Sequence, residues 1–253
     1  MFGFGPRRTA RAAPPDHVIV PIAGRDVRVA VKVSTRASRF TLRMVAGHGD
    51  PVLTVPAHAR FADGLDFLER HSGWLAERLA RRPVAVAFTP GALVPFRGTP
   101  HLLDHRPERR GTVWVEPSTG DVEAPLLCVA GRPEHMARRV RDFLRRSAHA
   151  ELVPAVATHA ARLGVKSGAI RIKDTRSRWG SCTAEGELSF SWRVILAPPH
   201  VLDYLAAHEV AHLREMNHSI RFWRLVRETC PRMDEGRRWL KLHGSALHSY
   251  GVE

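Results

Sequence analysis

Residues 199–219 read PHVLDYLAAHEVAHLREMNHS and decide how the chain is interpreted. His208 and His212 are four residues apart, so on an α-helix both imidazoles lie on one face and can bind one metal ion. Glu209 follows the first histidine and lies within reach of a water molecule at that ion. The pattern therefore predicts a zinc site on a helix, with Glu209 as the general base of a hydrolase.

The surrounding residues favour a buried helix. Pro198 and Pro199 stand where the helix is expected to begin, because proline is tolerated in the first turn. Val201 and Leu205 fall on the same face as the two histidines, and most other positions are apolar as well. Two buried histidines need partners, and a shared metal ion supplies them. The opposing interpretation is a pair of hydrogen-bonded core histidines without a metal.

His218, six residues past His212, is the candidate third ligand. Metzincin proteases have the same spacing, but the glycine that lets their chains turn is replaced here by Glu215. We therefore expect Asn217 to adopt the left-handed conformation instead. Ser219 is suited to cap the next helix.

A carboxylate on a later helix, from Glu228 or Glu235, is the alternative third ligand. Three protein ligands leave a fourth position open, as catalytic zinc sites do. Imidazole nitrogen suits one Zn²⁺ per chain, although manganese or iron also tolerates three histidines.

Composition excludes several classes of protein. The chain has 253 residues, of which 44% are hydrophobic and 25% charged, as in ordinary soluble globular proteins. No apolar run approaches the ~18 residues of a membrane span. The three cysteines form no CxxC pair, which excludes a zinc ribbon and a thioredoxin-type site. Residues 12–16 read AAPPD where a secretion signal would be apolar, so we expect a cytoplasmic protein with no membrane partner.

The net charge of +14 comes almost entirely from arginine. Arginine suits phosphate, so an Arg-rich surface is a candidate contact for phosphate or nucleic acid. The charge is spread along the chain, however, and no basic tail stands out.

The chain divides into three regions by pattern, and the fold class is α+β. Residues 1–16 are expected to form a flexible tail. Residues 17–131 form a β-rich region with alternating valines at 27–33, a hairpin around 46–50 and one helix over 61–82. Residues 132–253 form the catalytic region. It is expected to contain a helix over 134–149 that Pro154 kinks or restarts and that continues to a C-cap at Gly164. Strands are expected over 169–174, 179–183 and 187–193, and helices over 199–215, 219–229 and 231–246.

The segment Arg178-Trp179-Gly180-Ser181 is the candidate substrate-binding strand. An edge strand beside the metal would bind an extended substrate through backbone hydrogen bonds, and Gly180 would permit close approach. Arg178 would stabilise an oxyanion or bind phosphate. The alternative is structural, with Trp179 in the core and Arg178 paired with Asp203 or Glu215.

These motifs together resemble the YgjP-like metallopeptidase-domain family, which is related to the SprT and WLM zinc proteases. The resemblance covers residues 30–243 and is looser in the first half. It implies a zincin-type fold with a β-rich N-terminal part, with His208, His212 and His218 as metal ligands and Glu209 as catalytic base. The motifs that carry it are RSRWGSC at 176–182, SWR at 191–193, APP at 197–199, HEVAHLREMNHS at 208–219 and FW at 222–223.

Three functions remain open on the sequence alone. The first is a zinc peptidase acting on peptide or unfolded protein. The second is a zinc-dependent nucleoside-triphosphate phosphohydrolase, in which Arg176, Arg178 and Arg193 neutralise the phosphates. The third is a basic nucleic-acid-associated module with structural zinc. Three ligands rather than four favour catalysis.

Overall fold

A computed structural model gives eleven strands and six α-helices within the part of the chain it describes. Small sheets and helices alternate along the chain, so the α+β class is confirmed. Most of the tail expected over residues 1–16 lies outside the described residues. These residues are 13–45, 47, 49–118, 123–175 and 177–252.

The chain divides into two compact units, here called unit 1 and unit 2. Unit 1 consists of residues 13–45 and 49–82, and unit 2 runs from Pro83 to the end of the described chain and includes Gly47. The boundary expected between residues 131 and 132 does not coincide with this division. The reason is long-range packing, because Leu127 and Val140 share one hydrophobic core although they lie on either side of that boundary.

Unit 1 contains a four-stranded sheet in the order β1-β2-β4-β3. Its strands are β1 (His17–Ile22), β2 (Arg25–Ser34), β3 (Thr41–Arg43) and β4 (Val52–Pro56). β2 and β4 are parallel, whereas β1 pairs antiparallel with β2, and β3 with β4. The expected hairpin is therefore confirmed, although Ala46 and His48 in its turn lie outside the described residues. Val29, in the middle of the valine alternation, is fully buried.

Two helices, α1 (Phe61–Arg70) and α2 (Ser72–Ala80), replace the single helix expected over 61–82. His71 separates them, because its backbone leaves helical values at φ −104° and ψ 11°. Its ring Nδ1–H donates to the Phe67 carbonyl over 2.7 Å. Leu68 and Leu75 continue the apolar stripe across the break and are both buried against the sheet residues. The spacing of the apolar residues was preserved, so the pattern alone did not reveal the interruption.

Unit 2 contains two sheets. The first has the order β5-β6-β8-β7, and the second has the order β10-β11-β9, with β11 antiparallel to β10 and parallel to β9. β10 is therefore an edge strand. The strands are β5 (Leu93–Phe96), β6 (Thr99–Arg106), β7 (Val113–Glu116), β8 (Leu126–Ala130), β9 (Ile170–Lys173), β10 (Gly180–Cys182) and β11 (Leu188–Ser191).

The helices of unit 2 match the expected ones except at Pro154. They are α3 (Met136–Leu163), α4 (Pro199–Ala211), α5 (Ile220–Thr229) and α6 (Met233–Leu247). α3 continues through Pro154 as one helix, so of the two expectations the restart is wrong. Leu152 and Val156 are both buried on either side, and this packing holds the helix across the proline. Gly164 ends the helix at φ 62°, as expected.

Arg193 is a structural residue of unit 2. Its side chain is 5% exposed, forms an ion pair with Asp174, and lies with its guanidinium carbon 4.4 Å from the centre of a Trp192 ring. Arg193 is therefore not placed to neutralise a substrate phosphate, as the phosphohydrolase hypothesis required.

Replacing Asp174 with Asn is expected to lower the free energy of unfolding by about 3 kcal/mol, because it leaves the buried Arg193 charge uncompensated. The matched control is Asp142→Asn. Asp142 pairs with Arg138 over 3.4 Å, and the Arg138 side chain is 63% exposed, so the loss is expected below about 1 kcal/mol. Urea unfolding measures both values. Equal losses in the two variants would contradict the structural role of the pair between Asp174 and the buried Arg193.

No helix among the described residues is both long and apolar enough to cross a membrane.

Candidate metal centre

Helix α4 presents the first two histidines as the sequence predicts. It begins at Pro199, directly after Pro198, and is buried along most of its length. His208 lies in its last turn and His212 is the residue that ends it, and the ring centroids are 5.0 Å apart. The prediction of a buried helix that carries both imidazoles on one face is confirmed.

The turn after α4 brings the His218 ring close to the rings of His208 and His212. Asn217 does not take the expected left-handed conformation, since the only described non-glycine residues with positive φ are Ala23 and Arg97. The Asn217 Oδ1 instead accepts a hydrogen bond from the Ser219 N–H over 3.0 Å. The Ser219 hydroxyl accepts from the Phe222 N–H over 3.3 Å and caps α5, as predicted.

His208, His212 and His218 converge. Each offers a ring nitrogen, and these nitrogens all lie within 4.8 Å of one another. The Nε2 atoms of His208 and His218 are 3.1 Å apart, close to the ~3.4 Å expected between two nitrogens on one tetrahedral zinc. Glu228 and Glu235, the alternative ligands, are not part of this cluster. Cys182 is also outside the cluster.

His208 and His212 are in the state that a metal ligand requires. Burial, together with His212 and His218, lowers the pKa of His208 to about 3, and burial also lowers the pKa of His212. Both rings are therefore neutral at pH 7 and carry a free lone pair. The His212 Nδ1–H donates to the Glu215 carbonyl over 3.1 Å, which leaves Nε2 to face the cluster.

Glu209 is a buried carboxyl group beside the cluster. It is 4% exposed, and its Oε2 atom has no hydrogen-bond partner among the described residues. Burial raises the pKa of Glu209 to about 8, and the nearby Arg178 acts in the opposite direction. Three converging imidazoles and an unpartnered buried carboxyl oxygen are a donor set that fits a divalent cation. The residues therefore fit the metal ion that the sequence motif implies.

Gly180 lies directly against Glu209. A Cβ atom at position 180 would overlap with the Glu209 Oε1 atom and lie 2.7 Å from both Cγ and Cδ of that side chain. The space that glycine leaves open is thus filled by the Glu209 carboxylate. The sequence predicted that Gly180 permits close approach of a substrate backbone, whereas the structure shows close approach of the catalytic candidate.

Strand β10 has an open edge beside this carboxylate. The Trp179 carbonyl accepts from the Ser191 N–H over 2.8 Å, and the Glu187 carbonyl accepts from the Thr183 N–H over 3.0 Å. In an antiparallel pair, every second residue bonds to the partner strand. The backbone groups of Gly180 and Cys182 therefore point away from β11, towards the open edge. Ser181 is half-buried in the middle of the strand.

The remaining residues of the candidate strand divide into two groups. Trp179 is half-buried and packs against His248 with ring centroids 4.8 Å apart, which agrees with its structural interpretation. Arg178 is exposed, and its charge acts on Glu209 rather than pairing with Asp203, which bonds to His159. Arg176 lies outside the described residues.

Two aromatic residues that the sequence analysis did not assign to the site form a wall around the histidines. Phe222 has its ring centroid 4.9 Å from that of His208, 4.5 Å from that of His212 and 4.7 Å from that of His218. Trp223 stacks on His218 at 5.7 Å. Their position in the first turn of the helix that follows the third histidine is the sequence feature that indicates this contact.

Comparison with known proteins identifies a family for most of the chain. The model of the YgjP-like, metallopeptidase domain matches residues 38–243. The crystal structure of the metallopeptidase zymogen of Pyrococcus abyssi abylysin is similar at 24% identity and a TM-score of 0.33, covering 36% of this chain and 94% of that chain. No curated protein matches the sequence. A metallopeptidase domain over most of the chain supports the prediction that the protein is a metal-dependent hydrolase. The chain belongs to the YgjP-like metallopeptidase-domain family.

Proposed function

We propose that the protein is a zinc-dependent peptidase in which Glu209 is the general base. The observation that carries the proposal is the convergence of three imidazoles beside the buried Glu209 carboxyl group at the open edge of β10. The family match supports a metallopeptidase in general, and the finer assignments rest on the site.

His208, His212 and His218 would hold the ion. A bound Zn²⁺ would supply Lewis acidity, which polarises a carbonyl group and lowers the pKa of water. The Glu209 carboxylate takes the proton from the attacking water and delivers it to the leaving amine. Phe222 and Trp223 pack against the ligand rings and restrict their orientation.

An extended polypeptide is the substrate class that suits the open edge. The N–H and C=O groups of Gly180 and Cys182 would bond to the substrate backbone, which positions any sequence without reading its side chains. Exposed Arg178 would stabilise the oxyanion that forms at the scissile carbonyl. Peptide or unfolded protein is therefore the proposed substrate, and a cytoplasmic location remains an expectation from the sequence.

The structure does not favour the phosphohydrolase alternative, because Arg193 is buried and paired with Asp174. The binding-module alternative requires a closed structural site. Only three ligands converge among the described residues, which supports a catalytic site over a structural one.

Metal content tests the site directly. We expect about one zinc per chain in the wild type and in Glu209→Gln, and less than about a tenth of that in His212→Ala. His149→Ala, which removes an exposed histidine on α3, is the matched control and should retain the metal. Mass spectrometry of protein purified without a metal-binding tag gives the values. A wild type that stays metal-free after zinc reconstitution would contradict the proposal.

A further inference from the structure

Strand β1 of unit 1 has an open edge that takes no part in the proposed peptidase site. It lies at one end of the sheet and, among the described residues, pairs only with β2. The Val31 N–H donates to the Asp16 carbonyl over 2.8 Å, so the even-numbered residues of β1 bond to β2. The backbone groups of Ile19 and Pro21 consequently face the open edge. Ile19 supplies a free N–H and C=O there, whereas Pro21 supplies only a C=O.

A groove of about 540 Å³ runs along this edge between β1 and the helices of unit 1. Residues 18–22 form one wall, and Leu65, Asp66, Glu69 and other residues of the helices form the opposite wall. The Ile19 side chain is 61% exposed and that of Leu65 is 37% exposed. Exposed apolar side chains beside unused backbone groups are characteristic of a surface that binds another chain.

The helical wall of the groove is acidic. Asp66 and Glu69 are both exposed and are three residues apart on α1, so they lie on one face of the helix. Both line the groove. The wall therefore attracts lysine or arginine side chains and repels acidic ones.

We propose that this groove, here called the β1 groove, binds an extended polypeptide segment that carries alternating apolar and basic residues. The segment pairs with β1 as an additional strand, using the N–H and C=O of Ile19. Because successive side chains of a strand point to opposite faces of the sheet, its basic side chains face Asp66 and Glu69 on the helical side, and its apolar side chains lie on the other face beside the exposed Ile19. The open strand edge selects a polypeptide over a small molecule, because its hydrogen-bonding groups match those of a second strand. This binding site does not depend on the proposed peptidase activity.

Binding is measured by fluorescence anisotropy on the full chain carrying Glu209→Gln, so that no probe is cleaved. The probes are two labelled, blocked heptapeptides, one alternating Val and Lys and one alternating Val and Glu. We expect the Val-Lys peptide to bind about 10-fold more tightly. The double variant Asp66→Lys/Glu69→Lys should reverse that preference. Ile19→Pro removes the only N–H at the middle of the open edge and should weaken binding of both peptides.

The control variant is Glu134→Lys/Asp142→Lys, which makes the same charge change at exposed positions of unit 2. It should keep the preference for the Val-Lys peptide. An equal effect of the two double variants would mean that the peptide responds to the overall charge, and this would overturn the proposal. A wild type that is a dimer by light scattering, becomes a monomer with Ile19→Pro and binds neither peptide would also overturn it, because a second copy would then occupy the groove.

Discussion

Replacing Glu209 with Gln is expected to lower kcat/KM for peptide hydrolysis by between about 10²- and 10⁴-fold, at unchanged metal content. The amide has nearly the same shape as the carboxylate but cannot accept a proton, so it removes the proposed base and leaves the histidines in place. Cleavage is followed with a library of fluorescence-quenched peptides. Zinc content and thermal unfolding are measured on the same samples.

The matched control for this loss is Glu185→Gln. Glu185 is an exposed carboxylate in the turn between β10 and β11, and we expect its replacement to leave kcat/KM within about twofold of the wild type. Wild-type turnover by zinc-loaded Glu209→Gln would show that Glu209 is not the base. Loss of zinc from Glu209→Gln would instead show that the carboxylate helps to hold the ion.

The features that the sequence predicted are local ones. The spacing of His208 and His212 determines their common face once a helix forms, and the helix is indicated by its prolines and apolar residues. The cap at Ser219 and the helix end at Gly164 depend on residues within one turn. Each of these predictions concerns a few consecutive residues, and the structure confirms each one.

The features that the sequence did not predict depend on residues far apart in the chain. The unit boundary differs because Leu127 and Val140 share a core, which no local composition shift reveals. The turn before His218 was expected to need a left-handed residue, but the Asn217 side chain replaces that conformation with a hydrogen bond to Ser219. The contact between Gly180 and Glu209 joins an edge strand to a helix 29 positions away and has no sequence signature.

Gly180→Ala is expected to lower kcat/KM by about 10²-fold or more, through displacement of the Glu209 side chain. The added Cβ would lie 2.7 Å from Glu209 Cγ and Cδ, far inside van der Waals contact. Glu209 is 4% exposed, so its side chain has little room to move away within the site. The backbone at Gly180 does not have a positive φ, and alanine therefore introduces no backbone strain of its own. The zinc ligands are not displaced, so metal content should not change.

A double-mutant cycle separates this positioning role from a general packing effect. Gly180→Ala should lower the free energy of unfolding by about 1–3 kcal/mol in the wild type, because the new methyl group overpacks the site. In a Glu209→Ala background the methyl group enters the vacated space, so the same change should cost less than half as much, a coupling of about 1 kcal/mol or more. Gly73→Ala, at a helical position with open space around the missing Cβ, is the control and should be neutral or slightly stabilising. Equal costs of Gly180→Ala in the two backgrounds would mean that Gly180 does not position Glu209, since relief of the overlap is the only reason for the two costs to differ.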